Sequence, residues 1–308
     1  MKISVVISAF NEEKNIEEAL KSVKRIADEI IVIDNDSSDL TPSIAKKYTK
    51  QVFSQKNDPK KIDLQKNFGF SKATGDWILS IDADERITPE LEDEIKSKLD
   101  NAPEIVDGFW ISRKNIIFGK WIKNEMWWPD FQLKLFRRGK GEFEGGTVHK
   151  ALVVAGQTQK LENFLLHVNY ESISQFISKL NNYTDIEAIS LVEAGYKFNW
   201  LDAIRFPVDD FVKTFFLQRG YSDGLHGLVL SLLQAFYMET VFAKLWEKNK
   251  FEEVVMPDFV DDVRREFIVS SGKISYWYTS IFIRNTKNPL KKTLLKIKRK
   301  ISSSKINS

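Results

Sequence analysis

The chain has 308 residues, 43% of them hydrophobic and 12% aromatic, enough for one large core and a smaller appendage, because single cores stop growing near about 250–300 residues. It contains no cysteine, which excludes disulfides, thiolate metal sites and cysteine nucleophiles and suits a reducing compartment, the cytoplasm by default. The net charge of +3 conceals a division: residues 284–308 carry nine Lys or Arg and no acid, leaving 37 basic against 43 acidic residues before them, so the tail is a separate electrostatic object.

Ile3 to Ala9 is a continuous run of apolar and small residues and predicts a buried first strand. Asn11, Glu12 and Glu13 interrupt it before the apolar stretch of a signal peptide can form. Ile16, Ala19, Leu20, Val23 and Ile26 follow at helical spacing. Ile30 to Ile33 predicts a second strand, and the polar turn Asp34 to Asp39 leads into a short helix with Pro42 in its first turn. A strand at Val52 and Phe53, a helix over Leu64 to Ala73 and an apolar strand from Trp77 to Ile81 come next. That strand stops at Asp82. Thr88 and Pro89 then open a helix carrying Leu91, Ile95 and Leu99.

Strands apolar on both faces that alternate with amphipathic helices predict a Rossmann-like, mostly parallel α/β sheet with helices on both sides. Such sheets bind ligands at the carboxyl ends of their strands. The polar clusters 11–13, 34–39 and 82–85 all follow strands, so three separate segments are expected to converge on one cleft.

Beyond Leu99 the sequence turns Trp- and Gly-rich, with strands expected at Gly108 to Arg113 and Leu133 to Arg137, and from Ser174 onward helix dominates. The expected division is a nucleotide-binding catalytic domain over 1–170, a helical region over 171–283 and a basic tail over 284–308. No stretch reaches the roughly 18–20 uninterrupted apolar residues of a spanning helix, because Gly224 to Ala243 contains His226, Gln234 and Glu239. Leu225, Leu228, Leu232, Leu233 and Phe236 nevertheless share one helical face upstream of the basic tail. That pairing predicts attachment to an anionic membrane surface, with no nucleic acid as partner.

Asp82 and Asp84 are separated by one residue at a strand end, which in extended backbone points both carboxylates the same way. Two readings fit: an acidic turn capping the next helix, or a pair held together by a hard divalent cation that completes its shell with substrate phosphates.

Position favours the second reading. Ser4-Val5-Val6-Ile7-Ser8-Ala9-Phe10-Asn11-Glu12 resembles the opening strand and loop of the family 2 glycosyltransferases, and Ile33-Asp34-Asn35-Asp36-Ser37-Ser38-Asp39 is similar to their second-strand signature. Gln65-Lys66-Asn67-Phe68-Gly69, Ala73-Thr74-Gly75-Asp76-Trp77 and Ile81-Asp82-Ala83-Asp84-Glu85 resemble the segments leading to and forming their metal motif. Residues 127–138 and Val148-His149-Lys150 are similar to the branch containing lipopolysaccharide-core β-1,4-glucosyltransferases, as is the segment from Tyr221 to Glu247. Lys150 departs from that branch, where an acid usually follows the Val-His pair.

This resemblance implies a GT-A fold and an inverting transfer of a sugar, a hexose such as glucose, from a UDP-sugar to a hydroxyl of a cell-envelope glycan or glycolipid. It implies that Phe10, Asn11, Glu12, Asp34 and Asn35 line the nucleobase and ribose pocket, with Lys66, Asn67, Asp82 and Ala83 also on the donor. Asp82, Asp84 and His149 are the implied ligands of Mg²⁺ or Mn²⁺. Arg137 and Arg138 are open to two readings, phosphate contact or a solvated pair at a strand end. Inversion also requires a carboxylate that takes the acceptor's proton across the cleft from the metal. Among Glu125, Asp130, Glu142 and Glu144, Asp130 is the expected base, because Trp127 and Trp128 beside it offer a stacking platform and would raise its pKa by desolvation.

Three other functions are weighed against this one. A nucleotidyltransferase would place a glycine-rich, basic loop after the first strand, whereas Ala9 to Glu13 is acidic and lacks glycine. A haloacid-type phosphatase would continue Asp-x-Asp with Gly-Thr, where this chain has Glu85-Arg86. An inactive, membrane-associated relative is opposed by the intact Asp34, Asp82 and Asp84.

Overall fold

A computed structural model describes residues 1–58, 61–101, 103–144, 151–253 and 257–306. By internal contacts the chain divides into two units, one of Met1–Ile122 and Trp127–Glu171, the other of Lys123–Met126 and Ser172–Ser308.

The first unit is a mixed α/β fold of the GT-A type. Its elements run β1 (Ile3–Ala9), α1 (Ile16–Val23), β2 (Glu29–Asp34), α2 (Thr41–Ala45), β3 (Val52–Ser54), α3 (Ile62–Phe70), β4 (Trp77–Asp82), β5 (Glu85–Ile87), α4 (Pro89–Asp100) and β6 (Val106–Ile117). They continue with β7 (Lys120–Trp121), β8 (Asp130–Arg137), β9 (Gly141–Phe143), β10 (Leu152–Val154) and β11 (Gln157–Tyr170). The main sheet has the order β3-β2-β1-β4-β8-β6-β11-β5, with β7 paired to β6, and β9 pairs separately with β10. β3, β2, β1 and β4 are parallel, as the continuous apolar runs predict. β8 enters antiparallel between β4 and β6.

One core layer packs Ile16, Leu20 and Val23 of α1 and Leu91, Ile95 and Leu99 of α4 onto the sheet residues Val5, Ile7 and Leu79. The opposite layer gathers Val6, Ile31 and Ile33 with Phe70, Phe136 and Leu152. Alternate residues of β1 thus serve opposite faces, as the pleat requires. Gly69 sits where α3 crosses this second layer, and a Cβ there would approach Val6 Cγ1 to 2.5 Å and Ile33 Cγ1 to 2.8 Å. α4 starts as expected, with the Thr88 side chain accepting the Leu91 N–H at 3.2 Å and Pro89 in the first turn.

The second unit is helical: α5 (Ile173–Glu193), α6 (Asp202–Phe211), α7 (Leu225–Lys248), α8 (Phe259–Asn285) and α9 (Pro289–Ile306), with a π-helical turn over Val212–Leu217 and a 3-10 turn over Gly220–Asp223. α5 and α6 pack on α7, with α5 and α7 sharing a cluster of Ala188, Val241 and Leu245, and α8 packs on α9. The Asp223 carboxylate accepts the N–H groups of Lys123 at 3.1 Å and Asn124 at 2.9 Å, which ties the short segment 123–126 into this unit. Counting uninterrupted apolar residues gave no spanning helix, yet among the described residues α7 is long and apolar enough to cross a membrane by length and composition.

Candidate active site

The carboxyl ends of β1, β2 and β4 bring the three polar clusters together. Ala9 is level with Asp34 and Ser8 with Asp82, so the loops after these strands leave one end of the sheet. Hydrogen bonds hold two of them to each other. Asn11, at φ 54°, a region that short polar side chains tolerate, donates its N–H to Ser37 Oγ at 2.9 Å and accepts the Ser38 N–H through Oδ1 at 2.8 Å. The Glu12 N–H donates to Thr41 Oγ1 at 2.8 Å. Asp34 is buried at the end of β2 and accepts the Ser37 N–H at 3.4 Å. Asn35 donates to Ser8 Oγ at 2.9 Å and Ala9 O at 3.1 Å and accepts from Gln55 at 2.7 Å; its amide is committed to the protein itself. The Phe10 ring, in contrast, is 45% exposed.

Behind these loops lies a chain of alternating charges. Lys66 Nζ is 2.7 Å from Asp82 Oδ1 and 3.6 Å from Asp63. Lys134 Nζ is 2.9 Å from Asp82 Oδ2 and 2.8 Å from Glu85 Oε2. Glu85, fully buried, also accepts the Asp82 N–H at 2.8 Å and lies 3.8 Å from Arg113. Arg113 grips Asp130 Oδ2 through Nε at 2.7 Å and Nη2 at 2.6 Å. Burial opposes ionisation of Asp82, but the Lys134 and Lys66 ammonium groups outweigh it and hold its carboxyl well below the usual aspartate range. Burial likewise works against the Lys66 charge, and Asp82 and Asp63 reverse the balance and raise its pKa.

Asp84 takes part differently. β5 leaves β4 after a short turn and pairs with β11 instead, with His167 level with Glu85, and the Val168 N–H donates to Asp84 O at 2.9 Å. His167 Nε2 consequently lies 3.4 Å from Asp84 Oδ2. Its Nδ1 is 2.7 Å from Asn115 Oδ1, and the Asn115 amide is oriented by donating from Nδ2 to Trp127 O at 2.9 Å and Asp130 Oδ2 at 3.2 Å. Nδ1 is therefore the protonated nitrogen. With Nδ1 engaged in that way, Nε2 is the ring nitrogen turned toward the Asp84 carboxylate oxygen, a nitrogen and an oxygen side by side that suit a cation.

An oxygen and an imidazole nitrogen, with the second ring nitrogen anchored by a hydrogen bond, have the donor chemistry and outer-shell support of a divalent metal site. Among the described residues no group of three or more His, Cys, Asp or Glu could hold a metal, so these two ligands would leave the remaining positions to phosphates and water. Asp82 fits the ion less well, since each of its oxygens already accepts a lysine ammonium group.

The other expected residues are placed as follows. Ala83 is buried and its carbonyl accepts Arg86 Nη1 at 2.8 Å. Asn67 exchanges two hydrogen bonds with the Phe143 backbone, at 2.8 and 2.9 Å, and so joins α3 to β9. His149 and Lys150 lie outside the described residues. Glu125 belongs to the second unit, 3.5 Å from Arg219, and Glu142 and Glu144 are exposed.

One expectation is corrected, and of the two readings for Arg137 and Arg138 the structure agrees with a pair at a strand end. Arg137 pairs with Trp77 at the amino end of β4, away from Asp82, because β8 runs antiparallel to β4; its guanidinium donates to Val106 O at 2.9 Å and Arg138 donates to Gly75 O at 2.8 Å. Neither reaches the loops. The pKa of Asp130 moves down rather than up: burial does oppose ionisation, but the Arg113 guanidinium and hydrogen bonds from Gln132, Asn115 and Arg113 prevail. Trp128 packs edge-on against Trp121 and Phe164.

The family model described as glycosyl transferase family 2 matches residues 4–154. An uncharacterized glycosyltransferase of Rickettsia typhi is 32% identical over 269 residues, 83% of this chain and 91% of that protein. The chain belongs to glycosyltransferase family 2. The lipopolysaccharide core biosynthesis glycosyltransferase LpsC of Rhizobium meliloti is 27% identical over 254 residues, covering 81% of this chain and 93% of that one. Among solved structures, glucosyl-3-phosphoglycerate synthase of Mycobacterium tuberculosis in complex with Mn²⁺, UDP-glucose and phosphoglyceric acid superposes with a TM-score of 0.41 at 17% identity, over 64% of this chain and 80% of that one. Within this glycosyltransferase the sequence motifs did not point to His167, Asn115 or Arg113, and they contained Lys134 without assigning it a role. The Asp-x-Asp-Glu run did contain Glu85, but its role became visible only with Lys134 across the sheet.

Proposed function

We propose that this family 2 enzyme transfers a hexosyl group from a UDP-sugar to a hydroxyl of a cell-envelope glycan or glycolipid, with inversion at the anomeric carbon, on the cytoplasmic side of the membrane. The observation that carries this reading is the Asp84–His167 pair beside a lysine-neutralised Asp82, at the strand ends where Asp34 and Phe10 also emerge. The similarity to a lipopolysaccharide core glycosyltransferase supports the acceptor class.

In this reading the buried Asp34 carboxylate accepts the imide N–H of uracil, and Phe10, Asn11 and Glu12 flank the base and ribose, with Asn35 bracing their loops. Asp84 and His167 hold Mg²⁺ or Mn²⁺, which when bound neutralises charge on the departing diphosphate. Lys66 and Lys134 keep Asp82 ionised as an acceptor for donor hydroxyls, and Asn67 and Ala83 fix the backbone around them. Asp130 takes the proton of the acceptor hydroxyl as its oxygen bonds to the anomeric carbon and the carbon–oxygen bond to UDP breaks.

A panel of nucleotide sugars, scored by thermal shift and by metal-dependent hydrolysis, tests the reading. UDP-hexoses should stabilise the protein and be hydrolysed slowly. Preference for a guanosine or cytidine donor, or binding without hydrolysis or transfer, would overturn it.

A further inference from the structure

We infer that the antiparallel helix pair α8–α9 is a docking surface for an anionic phospholipid bilayer, with α9 lying in the plane of the headgroups. This inference is independent of the donor chemistry.

The residues of α9 sort into faces. Ser302 is buried, with its hydroxyl 3.0 Å from Ser275 Oγ of α8, and Arg299 lies over the Tyr276 ring at 5.6 Å. The pair is close because α8 is small here: a Cβ on Gly272 would lie 3.1 Å from Lys305 Cβ and 3.2 Å from Ser302 O. Leu295, Arg299, Ser302 and Ile306 thus form the inward face at helical spacing. Leu290, Leu294, Ile297 and Ile301 repeat with the same period on another face and are between 55% and 79% exposed. Four large aliphatic side chains in one line facing water are not explained by packing within the chain.

Cations border this line. At roughly 100° per residue, Lys291, Lys298 and Lys305 fall along one side of it and Lys300 along the other, and α9 has no acid. α8 carries a matching line in Val260, Phe267, Ile274 and Tyr278, each at least 36% exposed. Because the contacts 275 to 302 and 272 to 305 make the pair antiparallel, the helix phases put both lines on the same side of it.

Charge selects the occupant. A second copy would bring an equal array of cations against the first. Nucleic acid would use the lysines but leave the Leu and Ile line wet. An anionic bilayer meets both, the aliphatic line entering the acyl boundary while the flanking lysines reach phosphates. Polybasic segments gain about 1 kcal/mol per cation near such a surface, close to fivefold in partition.

Flotation of the full chain with vesicles tests this. Binding is expected to vesicles with about a third phosphatidylglycerol, weakly to pure phosphatidylcholine, and to fall as salt shortens the screening length. The pair L294E/I297E should lower partition at least tenfold, and the triple variant K291Q/K298Q/K300Q about 10²-fold, with circular dichroism and melting temperature unchanged for both. Equal binding to neutral vesicles, or partition unaffected by either variant, would overturn the inference. So would a dimer of the wild type in solution that L294E/I297E dissociates, or binding of single-stranded RNA that persists in L294E/I297E and excludes the vesicles.

Discussion

His167 Nε2 faces Asp84 Oδ2 at 3.4 Å while Asn115 holds the opposite ring nitrogen at 2.7 Å, so one hydrogen bond decides which atom of the imidazole is available to a cation. Asp84→Ala is therefore expected to abolish the metal-dependent part of stabilisation by UDP, and His167→Gln to weaken metal affinity by about tenfold or more, some 1.4 kcal/mol. Thermal shift with UDP, titrated with Mn²⁺, reads both. Equal metal-dependent shifts in wild type and both variants would remove the two residues from the site.

Lys134 joins Asp82 to Glu85; Lys134 and Glu85 are buried and Asp82 is half-buried. Lys134→Met would leave two carboxylates facing each other without their shared cation, a loss of about 3–5 kcal/mol by analogy with broken buried pairs. Adding Glu85→Gln should recover part of it, since one of the stranded charges disappears. Denaturant unfolding of the single and double variants checks this. Additive losses would mean that Lys134 stabilises by packing alone.

These two sites differ in how far the sequence disclosed them. β1, β2 and β4 were legible because parallel strands buried on both faces read as unbroken apolar runs, and Asp34 and Asp82 mark where the runs end. α4 was legible from Thr88, Pro89 and the spacing of Leu91, Ile95 and Leu99. His167 was not, because nothing local to 157–170 indicates that β11 will pair with β5, and only that pairing brings it beside Asp84. Arg113 and Lys134 were hidden for the same reason: charges on strands read as solvent-facing until an antiparallel neighbour buries them. The basic tail was read by its charge, which obscured the helical repeat of Leu290, Leu294, Ile297 and Ile301.

Glu29 opens β2 and collects hydrogen bonds from Ser4, from the Thr74 N–H at 2.5 Å and hydroxyl at 2.9 Å, and from Gln51 at 3.2 Å. Partial burial opposes its ionisation, but these donors prevail and bring its pKa to about 2 from an ordinary value near 4.5. A carboxyl depressed on folding contributes stability that is present above the unfolded value and fades as pH falls from 4.5 toward about 2. Glu29→Gln should therefore melt below wild type at neutral pH, with the gap closing in acid. Melting curves of both proteins between about pH 7 and pH 3 decide it; a gap that stays constant would assign the effect of Glu29 to hydrogen bonding without charge.

Asp130 raises the hardest question, because the residue proposed as the base is held by Arg113 at 2.6 and 2.7 Å. A base must be ionised before transfer, and the guanidinium ensures that; the same guanidinium makes the carboxylate a weaker proton acceptor. If Asp130 is the base, Asp130→Asn lowers transfer by about 10²-fold or more while UDP and metal affinity stay near wild type. The pH profile separates this from a structural ion pair. With its pKa lowered, Asp130 should put the acidic limb of kcat/KM below the ordinary aspartate range, and Arg113→Met, which removes the largest influence lowering it, should move that limb to higher pH. A purely structural pair predicts that Arg113→Met reduces stability and leaves the limb in place. Transfer by Asp130→Asn within a few-fold of wild type, together with an inactive Glu144→Gln, would move the base to Glu144, which stands exposed just beyond β9.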